Sequence, residues 1–423
     1  MRSSTFPLEC DLGMQYYASE APGIGGRLRA APEDFVVDEI PTKDWSTTTG
    51  PYLICRLTKT NWELQHAVKE IARRLAISHR RIGLAGTKDK NAVTTQLISI
   101  YDVTPDAVAA VRLKDIQLEV AGQANEQLSL GDLAGNRFDL LIRDAEMDEL
   151  QCRVDEISAI AKKALPNYFG LQRFGVIRPL THRIGECMLH GDYERAVVMY
   201  IGEAFPHERD DIKQIRTAYK DTRDANEALR NFPQSFAFER AMLHHLYTHP
   251  GDHAGALQQL PPKLLSMFVS AFQSYLFNCA LSRRIEDGNT LTVPVPGDRL
   301  LFTNGRTDAA TAQNISAVSL HIARNRCSIA LFMPGKDPAD ARTANDAMTG
   351  ILDELKITHY DFQRAAMFVK TKFDGAWRPI ALSTAIETEV KDDTVRCRFS
   401  LPPGHYATTV CREFMKADPL QMV

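Results

Sequence analysis

The feature that most limits how this 423-residue chain folds is a change of hydrophobic period near residue 176. Before that point short apolar alternations recur: DFVVDEI (34–40), PYLICRL (51–57), TQLISI (95–100) and NRFDLLIR (136–143), with further short runs at 82–85 and 115–121. A period of two is the mark of half-buried strands. Between them lie amphipathic helices. Leu64, Ala67, Val68, Ile71 and Leu75 share one face of a helix over 61–76, which Thr60 and Glu63 are expected to open as a capping box. Leu150, Val154, Ile157 and Ile160 mark another helix, and 104–112 a third. From 180 to 285 the period is almost wholly helical, with a charged stretch at 207–230 and the apolar run LLSMFVSAFQSYLFNCALSRRI at 264–285. Strand signals return over 291–333, around Pro296-Gly297-Asp298 and Pro334-Gly335; a helix is expected near 345–356. Near the end ETEV and VRCRFSL read as a hairpin turning at Lys391-Asp392-Asp393, followed by a Pro-Pro-Gly turn and the short helix ATTVCREFMK. The pattern predicts an α+β protein of two or three domains, at roughly 150 residues each. The helical middle block reads as a separate unit, and the pattern leaves open whether it is inserted or appended.

Composition narrows the class. Apolar residues make up 44% and charged residues 24%, the balance of a soluble globular protein. No apolar run reads as a membrane span and MRSSTFPLEC carries no apolar signal core, so a cytoplasmic location is expected. The eight cysteines are scattered singly with no C-x-x-C pair, which predicts buried, reduced thiols. Net charge is −3, but an RNA partner needs only a local positive surface. Two basic clusters offer one: His79, Arg80, Arg81, Lys88 and Lys90, and Lys162, Lys163, Arg173, Arg178, His182 and Arg183.

The sequence contains no G-x-x-x-x-G-K-[ST] loop, dinucleotide fingerprint, H-E-x-x-H or G-x-S-x-G, which argues against nucleotide-driven, zinc-hydrolase and serine-hydrolase chemistry. Two segments stand out. The loop Ala85-Gly86-Thr87-Lys88-Asp89-Lys90-Asn91-Ala92-Val93-Thr94-Thr95-Gln96 joins two strands and sets a single carboxylate beside several polar groups. Pro166-Asn167-Tyr168-Phe169-Gly170-Leu171-Gln172-Arg173-Phe174-Gly175 packs aromatics, an amide and an arginine between two glycines. It reads either as a base-stacking platform or as a helix-to-loop junction with its rings in the core.

Four stretches together resemble the TruD family of pseudouridine synthases: APEDFVVDEI (31–40), AGTKDKNAVTTQ (85–96), PNYFGLQRFG (166–175) and LPPGHYATTVCRE (401–413). GDLAGNRF (131–138), SAFQSYLFN (270–278) and PGD (296–298) add to the match, in the family's order and across nearly the whole chain. The resemblance implies a catalytic domain on a mixed, largely antiparallel sheet with flanking helices, formed by 1–175 and 385–423 and interrupted by an α/β insertion domain, 176–384. It implies that a uridine of folded tRNA, usually uridine 13 in the D-arm, is isomerised without metal or nucleotide cofactor, and that no membrane is involved. Asp89 is then the catalytic carboxylate, Asn167 a hydrogen-bonding partner of the base or sugar, and Phe169 a stacking ring. Phe35 and Tyr406 line the pocket, and Lys88 or Arg29 keeps Asp89 ionised. Arg29 stands where many members of the family carry lysine, keeping the charge but changing its geometry. Arg80, Arg81, Lys162, Lys163 and Arg173 are the expected RNA contacts. A non-catalytic RNA-binding protein and an enzyme of free nucleosides are the rival classes, which turnover on tRNA against free uridine separates.

Overall fold

The computed structural model describes residues 1–45, 49–336 and 346–422. The chain divides into two compact units, one formed by Met1, Ala18–Leu165 and Leu382–Val423, the other by Arg2–Tyr17 and Pro166–Ala381. The segment carrying Asn167, Phe169 and Arg173 therefore groups with the second unit.

The first unit is built on a mixed sheet. In chain order its strands are β1 (Gly25–Arg27), β2 (Phe35–Pro41), β3 (Tyr52–Thr60), β4 (Ile82–Leu84), β5 (Val93–Tyr101), β6 (Ile116–Ala124), β7 (Leu133–Ala145), β8 (Glu387–Lys391) and β9 (Thr394–Leu401). They pair in the order β8-β9-β7-β2-β5-β3-β6, with β1 on β7 and β4 on β5. Only β2 and β5 run parallel, with Val36 opposite Val93; the other pairings are antiparallel. That parallel pair positions the site. It starts two strands at the same edge, so the segment entering β2 lies beside the loop entering β5.

Helix α1 (Leu64–Arg74) lays Leu64, Ala67, Val68 and Ile71 on Leu53, Cys55 and Leu57 of β3 and Ile98 and Ile100 of β5. On another part of the sheet, α2 (Leu150–Lys163) and α3 (Ala407–Met415) enclose Phe35, Val37, Phe138, Leu140 and Ile142 with Val154, Ile157, Val410 and Phe414. Each such side chain contributes about 1.5–3 kcal/mol on burial. The start of α1 differs from expectation. Thr60 still belongs to β3, and Glu63 is itself the N-cap, accepting from the backbone N–H of Gln65 (2.9 Å) and His66 (2.7 Å). The hairpin between β8 and β9 turns as expected, with Asp392 at φ 52°.

The second unit pairs four antiparallel strands, Thr307–Ala309, Arg299–Phe302, Cys327–Met333 and Ala376–Pro379, in that order. A run of helices from Thr181–His190 to Pro262–Glu286 precedes these strands in the chain. Contrary to the sequence reading, Pro262–Glu286 is long and apolar enough to cross a membrane. Its face explains the composition differently: Phe268, Phe272, Leu276 and Phe277 are buried within the unit, while Gln273, Ser274, Asn278 and Ser282 hydrogen-bond inside it. The helix expected at 345–356 is Asp346–Glu354, residue 345 lying outside the described residues. The cysteines are free; Cys10 and Cys152 are exposed rather than buried.

Candidate active site

The loop between β4 and β5 carries the acid singled out from the sequence. Asp89 keeps 45% of its side chain exposed and accepts a 2.6 Å hydrogen bond at Oδ2 from Arg29 Nη2. Arg29 is itself 6% exposed, and its guanidinium lies 3.8 Å from the ring centroid of Phe35. It adopts φ 60°, a left-handed conformation that costs a non-glycine residue on the order of 1 kcal/mol. This turn aims the arginine back across the sheet edge at Asp89. Phe35 is 2% exposed and meets Phe138 edge-on at 6.3 Å, so one face of its ring serves the arginine and its edge serves the core.

The turn before β2 is fixed by Asp34. Its carboxylate accepts from the Ala31 N–H at 2.9 Å and from Arg143 through a fork of contacts at 2.7–3.0 Å. The Arg143 hydrogen bonds hold the Asp34 carboxyl below its usual range. The loop itself is tied down at three further points. Lys88 Nζ donates 2.5 Å to Glu39 Oε2 in a pair almost wholly out of solvent, Glu39 also accepting from the Leu97 N–H at 3.3 Å. Gln96 Nε2 donates to the Gly86 carbonyl at 3.2 Å. Lys59, on β3 and fully buried, donates 2.6 Å from Nζ to the backbone carbonyl of Asp89. Burial pushes the Lys59 ammonium down to about 8, against the pull of the Asp89 and Glu63 carboxylates. Lys88 is therefore engaged with Glu39, and the group on the Asp89 carboxylate is Arg29. Tyr406 is half-buried at the N-cap of α3.

Asn167 and Phe169 lie in the second unit, where their surroundings are internal. Asn167 is fully buried; its Nδ2 donates 2.8 Å to the Pro379 carbonyl and its Oδ1 accepts 2.9 Å from Arg378 Nη2. Phe169 is 6% exposed, edge-on to Phe277 at 5.6 Å, with the Arg378 guanidinium 4.0 Å from its centroid. Asn278 clamps its backbone, accepting from the Phe169 N–H at 2.8 Å and donating to its carbonyl at 2.9 Å. Arg173 donates to Ser274 Oγ at 3.0 Å, 5.9 Å from the Phe169 ring.

The basic clusters do not survive as continuous surfaces. Lys88 is internal, and Arg81 spends its guanidinium on the carbonyls of Tyr101 and Asp102. Arg178 sits near Glu208 and Glu239 beside the buried Arg216, while His182 is buried and pushed down to about 4 by desolvation. His79, Arg80, Lys90, Lys162 and Lys163 remain exposed on the first unit. Lys59, Glu39, Arg143 and Arg378 were not singled out from sequence. Of these Lys59 left a trace, continuing the inward series Leu53, Cys55, Leu57 as a charged residue at an apolar position.

A half-exposed carboxylate held by an internal arginine at the edge of a mixed sheet suits chemistry carried by one acid group. The model of the TruD family, tRNA pseudouridine synthase D, matches residues 11–414. A Methanococcoides burtonii protein named "Probable tRNA pseudouridine synthase D" is 39% identical, covering 98% of each chain, and a similarly named Thermococcus onnurineus protein is 37% identical over 95% of this chain and 97% of its own. The crystal structure of a Methanosarcina mazei protein described as "Putative tRNA pseudouridine synthase D (TruD)" superposes with a TM-score of 0.84 at 35% identity, covering 99% of this chain and all of that one. The fold and the similarity define a pseudouridine synthase, an isomerase. Within that class the chain belongs to the TruD family.

Proposed function

We propose that this protein converts a uridine of tRNA, that at position 13 of the D-arm, to pseudouridine, with Asp89 as the group that begins the chemistry. The observation that carries this reading is the placement of Asp89: it alone among the acids of its loop region presents a carboxylate to solvent while being held from within, whereas Glu39 and Asp34 are spent on internal partners. The isomerisation breaks N1–C1′, turns the uracil and forms C5–C1′; the proton lost from C5 is balanced by the one gained at N1. Reactant and product have the same atoms and the same oxidation state, so no co-substrate enters the balance. Asp89 either attacks C1′ as a glycosidase nucleophile does, removes the C2′ proton, or adds to C6. In each route Arg29 keeps the carboxylate pointed outward through its 2.6 Å hydrogen bond to Oδ2.

Phe35 supports Arg29 from beneath its guanidinium plane, and Tyr406 is assigned to the pocket wall. A base-contacting role for Asn167 and Phe169 rests on their motif alone, since in the second unit Asn167 is engaged by Pro379 and Arg378 and Phe169 by Phe277 and Arg378. Lys88 acts through Glu39 on the loop. Arg80, Lys162 and Lys163 are assigned to tRNA phosphates, whereas Arg81 and Arg173 are engaged by the Tyr101 and Asp102 carbonyls and by Ser274; the enzyme works in the cytoplasm with its substrate. The middle of the chain, expected as an insertion over 176–384, serves as a second RNA-binding body. The test is mass-spectrometric mapping of pseudouridine in tRNA incubated with wild-type protein and with Asp89→Asn. Pseudouridine at position 13 with the wild type, and none with the variant, is expected. A variant keeping a tenth of wild-type turnover removes Asp89 from its role; modification at another position only removes the choice of uridine 13.

A further inference from the structure

A fully buried lysine in a strand is unfavourable unless its charge is used, since an ammonium loses far more hydration than a methylene chain gains. Lys59 sits in β3 on the face that α1 covers, its register partners being Thr94 on β5 and Ile116 on β6. The charged groups around it are Asp89, Glu63 and Lys88, and among the described residues its Nζ makes one hydrogen bond, 2.6 Å to the main-chain carbonyl of Asp89. The contact falls on the backbone of the residue whose side chain Arg29 holds by its carboxylate.

We propose that Lys59 is the positioning residue of the Asp89 loop: its ammonium fixes the peptide at Asp89 so that the carboxylate held by Arg29 is presented in one place. This rests on the assignment of Asp89 above. The two contacts act on different atoms. Arg29 restrains where the carboxylate points, and Lys59 restrains the main chain from which the side chain springs. Rotation of that peptide displaces the carboxylate, and a misplacement of about 1 Å at a reacting centre costs on the order of 10²-fold in rate. Lys88 and Glu39 anchor the neighbouring residue, but their pair does not touch the Asp89 carbonyl. Because the ammonium is buried without a carboxylate in contact, replacing it by an apolar chain of similar length removes a desolvation cost. Fold stability and catalysis should therefore respond in opposite directions, which an ordinary packing residue does not allow.

The experiment uses the full chain with Lys59→Met. The rate of pseudouridine formation in a single turnover at saturating tRNA should fall about 10- to 100-fold. The Kd for tRNA should stay within about twofold and the melting temperature should be unchanged or higher, with faster amide exchange confined to residues 87–91. A wild-type rate, or unchanged exchange at 87–91, overturns the proposal. So does a joint fall in melting temperature, affinity and rate, which is the pattern of a structural residue. Should Lys59→Met not fold, Lys59→Gln keeps an N–H donor on a shorter stem; a rate between those expected for wild type and Lys59→Met supports the role, and a wild-type rate overturns it. Asp89→Asn is the control. An active Asp89→Asn sinks the assignment of Asp89; an inactive Asp89→Asn beside an unimpaired Lys59→Met sinks the Lys59 inference alone.

Discussion

Arg29 offers the sharpest handle on the chemistry, because two interactions and one backbone conformation meet in it. Its 2.6 Å contact with Asp89 is a charge-assisted hydrogen bond, a type that contributes about 1.5–3 kcal/mol. Asp89 is 45% exposed, so solvent screening puts this one at the low end, about 1.5 kcal/mol. Stacking of the guanidinium on Phe35 at 3.8 Å adds about 0.5–1 kcal/mol. Arg29→Met removes both, about 2–2.5 kcal/mol of restraint on the carboxylate, which corresponds to a rate lower by roughly 30- to 70-fold. Arg29→Lys keeps the charge but loses the plane stacked on Phe35. Its expected loss is about 1 kcal/mol, near fivefold. The left-handed φ is common to all three side chains, so its strain cancels in the comparison. Single-turnover pseudouridine formation at saturating tRNA, with the Kd measured separately, reads these values. If Arg29→Met stays within threefold of wild type, or if the lysine and methionine variants are equally slow, Arg29 does not hold the reacting carboxylate by its charge.

Three further outcomes follow from charges that the fold encloses. Lys88→Met strands Glu39, 1% exposed, with the Leu97 N–H as its described remaining partner; breaking such a pair costs about 3–5 kcal/mol, and thermal melting should show a fall of several degrees, which the double variant Lys88→Met/Glu39→Leu largely reverses. A single variant melting with the wild type refutes this. Asp34, held below its ordinary range by Arg143, contributes stability that is fully present above its unfolded value near pH ~4 and lost as pH falls through the folded value. Asp34→Asn should therefore flatten the acid limb of a melting-temperature profile, and an unaltered limb would falsify the linkage. In the second unit Arg284 is 5% exposed and forked onto Asp298 at 2.5 and 2.9 Å, so its charge is answered internally. Arg284→Met should lower the melting temperature without flattening the salt dependence of tRNA binding; a weaker salt slope would show that Arg284 faces the RNA after all.

What the sequence disclosed and what it hid divide along physical lines. Periodic features were legible because they are local: the face Leu64, Ala67, Val68 and Ile71 predicts α1, and the alternations of 34–40 and 95–100 fall within or beside β2 and β5. Asp89 was singled out because Ala85-Gly86 and Thr94-Thr95-Gln96 set a small backbone and several polar groups beside one carboxylate, and because its loop resembles a family motif. Contacts across long separations were not. Asn167 meets Arg378 at a distance of 211 residues, and no local rule connects them. Lys59 was missed for a narrower reason: the apolar alternation was read as ending at Leu57, and β3 runs on to Thr60, which carries the inward face to the lysine. Charge clusters misled because neighbours in sequence alternate between faces. Of Lys88, Asp89 and Lys90, the first points inward to Glu39 while the other two are exposed.

The same alternation accounts for how a chain of net charge −3 is suited to an anionic partner. Total charge counts every acid equally, but several acids of the first unit are already answered: Glu39 by Lys88, Asp34 by Arg143, Asp139 by Arg396 and Arg398, and Asp89 by Arg29. The one-to-one pairs are close to neutral at a distance, and Asp139 with its two arginines is net positive. On the proposed reading the exposed His79, Arg80, Lys90, Lys162 and Lys163 meet an approaching phosphate backbone within a screening length of about 8–10 Å. Internal pairing thus has two consequences on the proposed reading. It fixes the Asp89 loop by contacts that water does not screen, and it leaves the surface field to those basic side chains, where added salt weakens it.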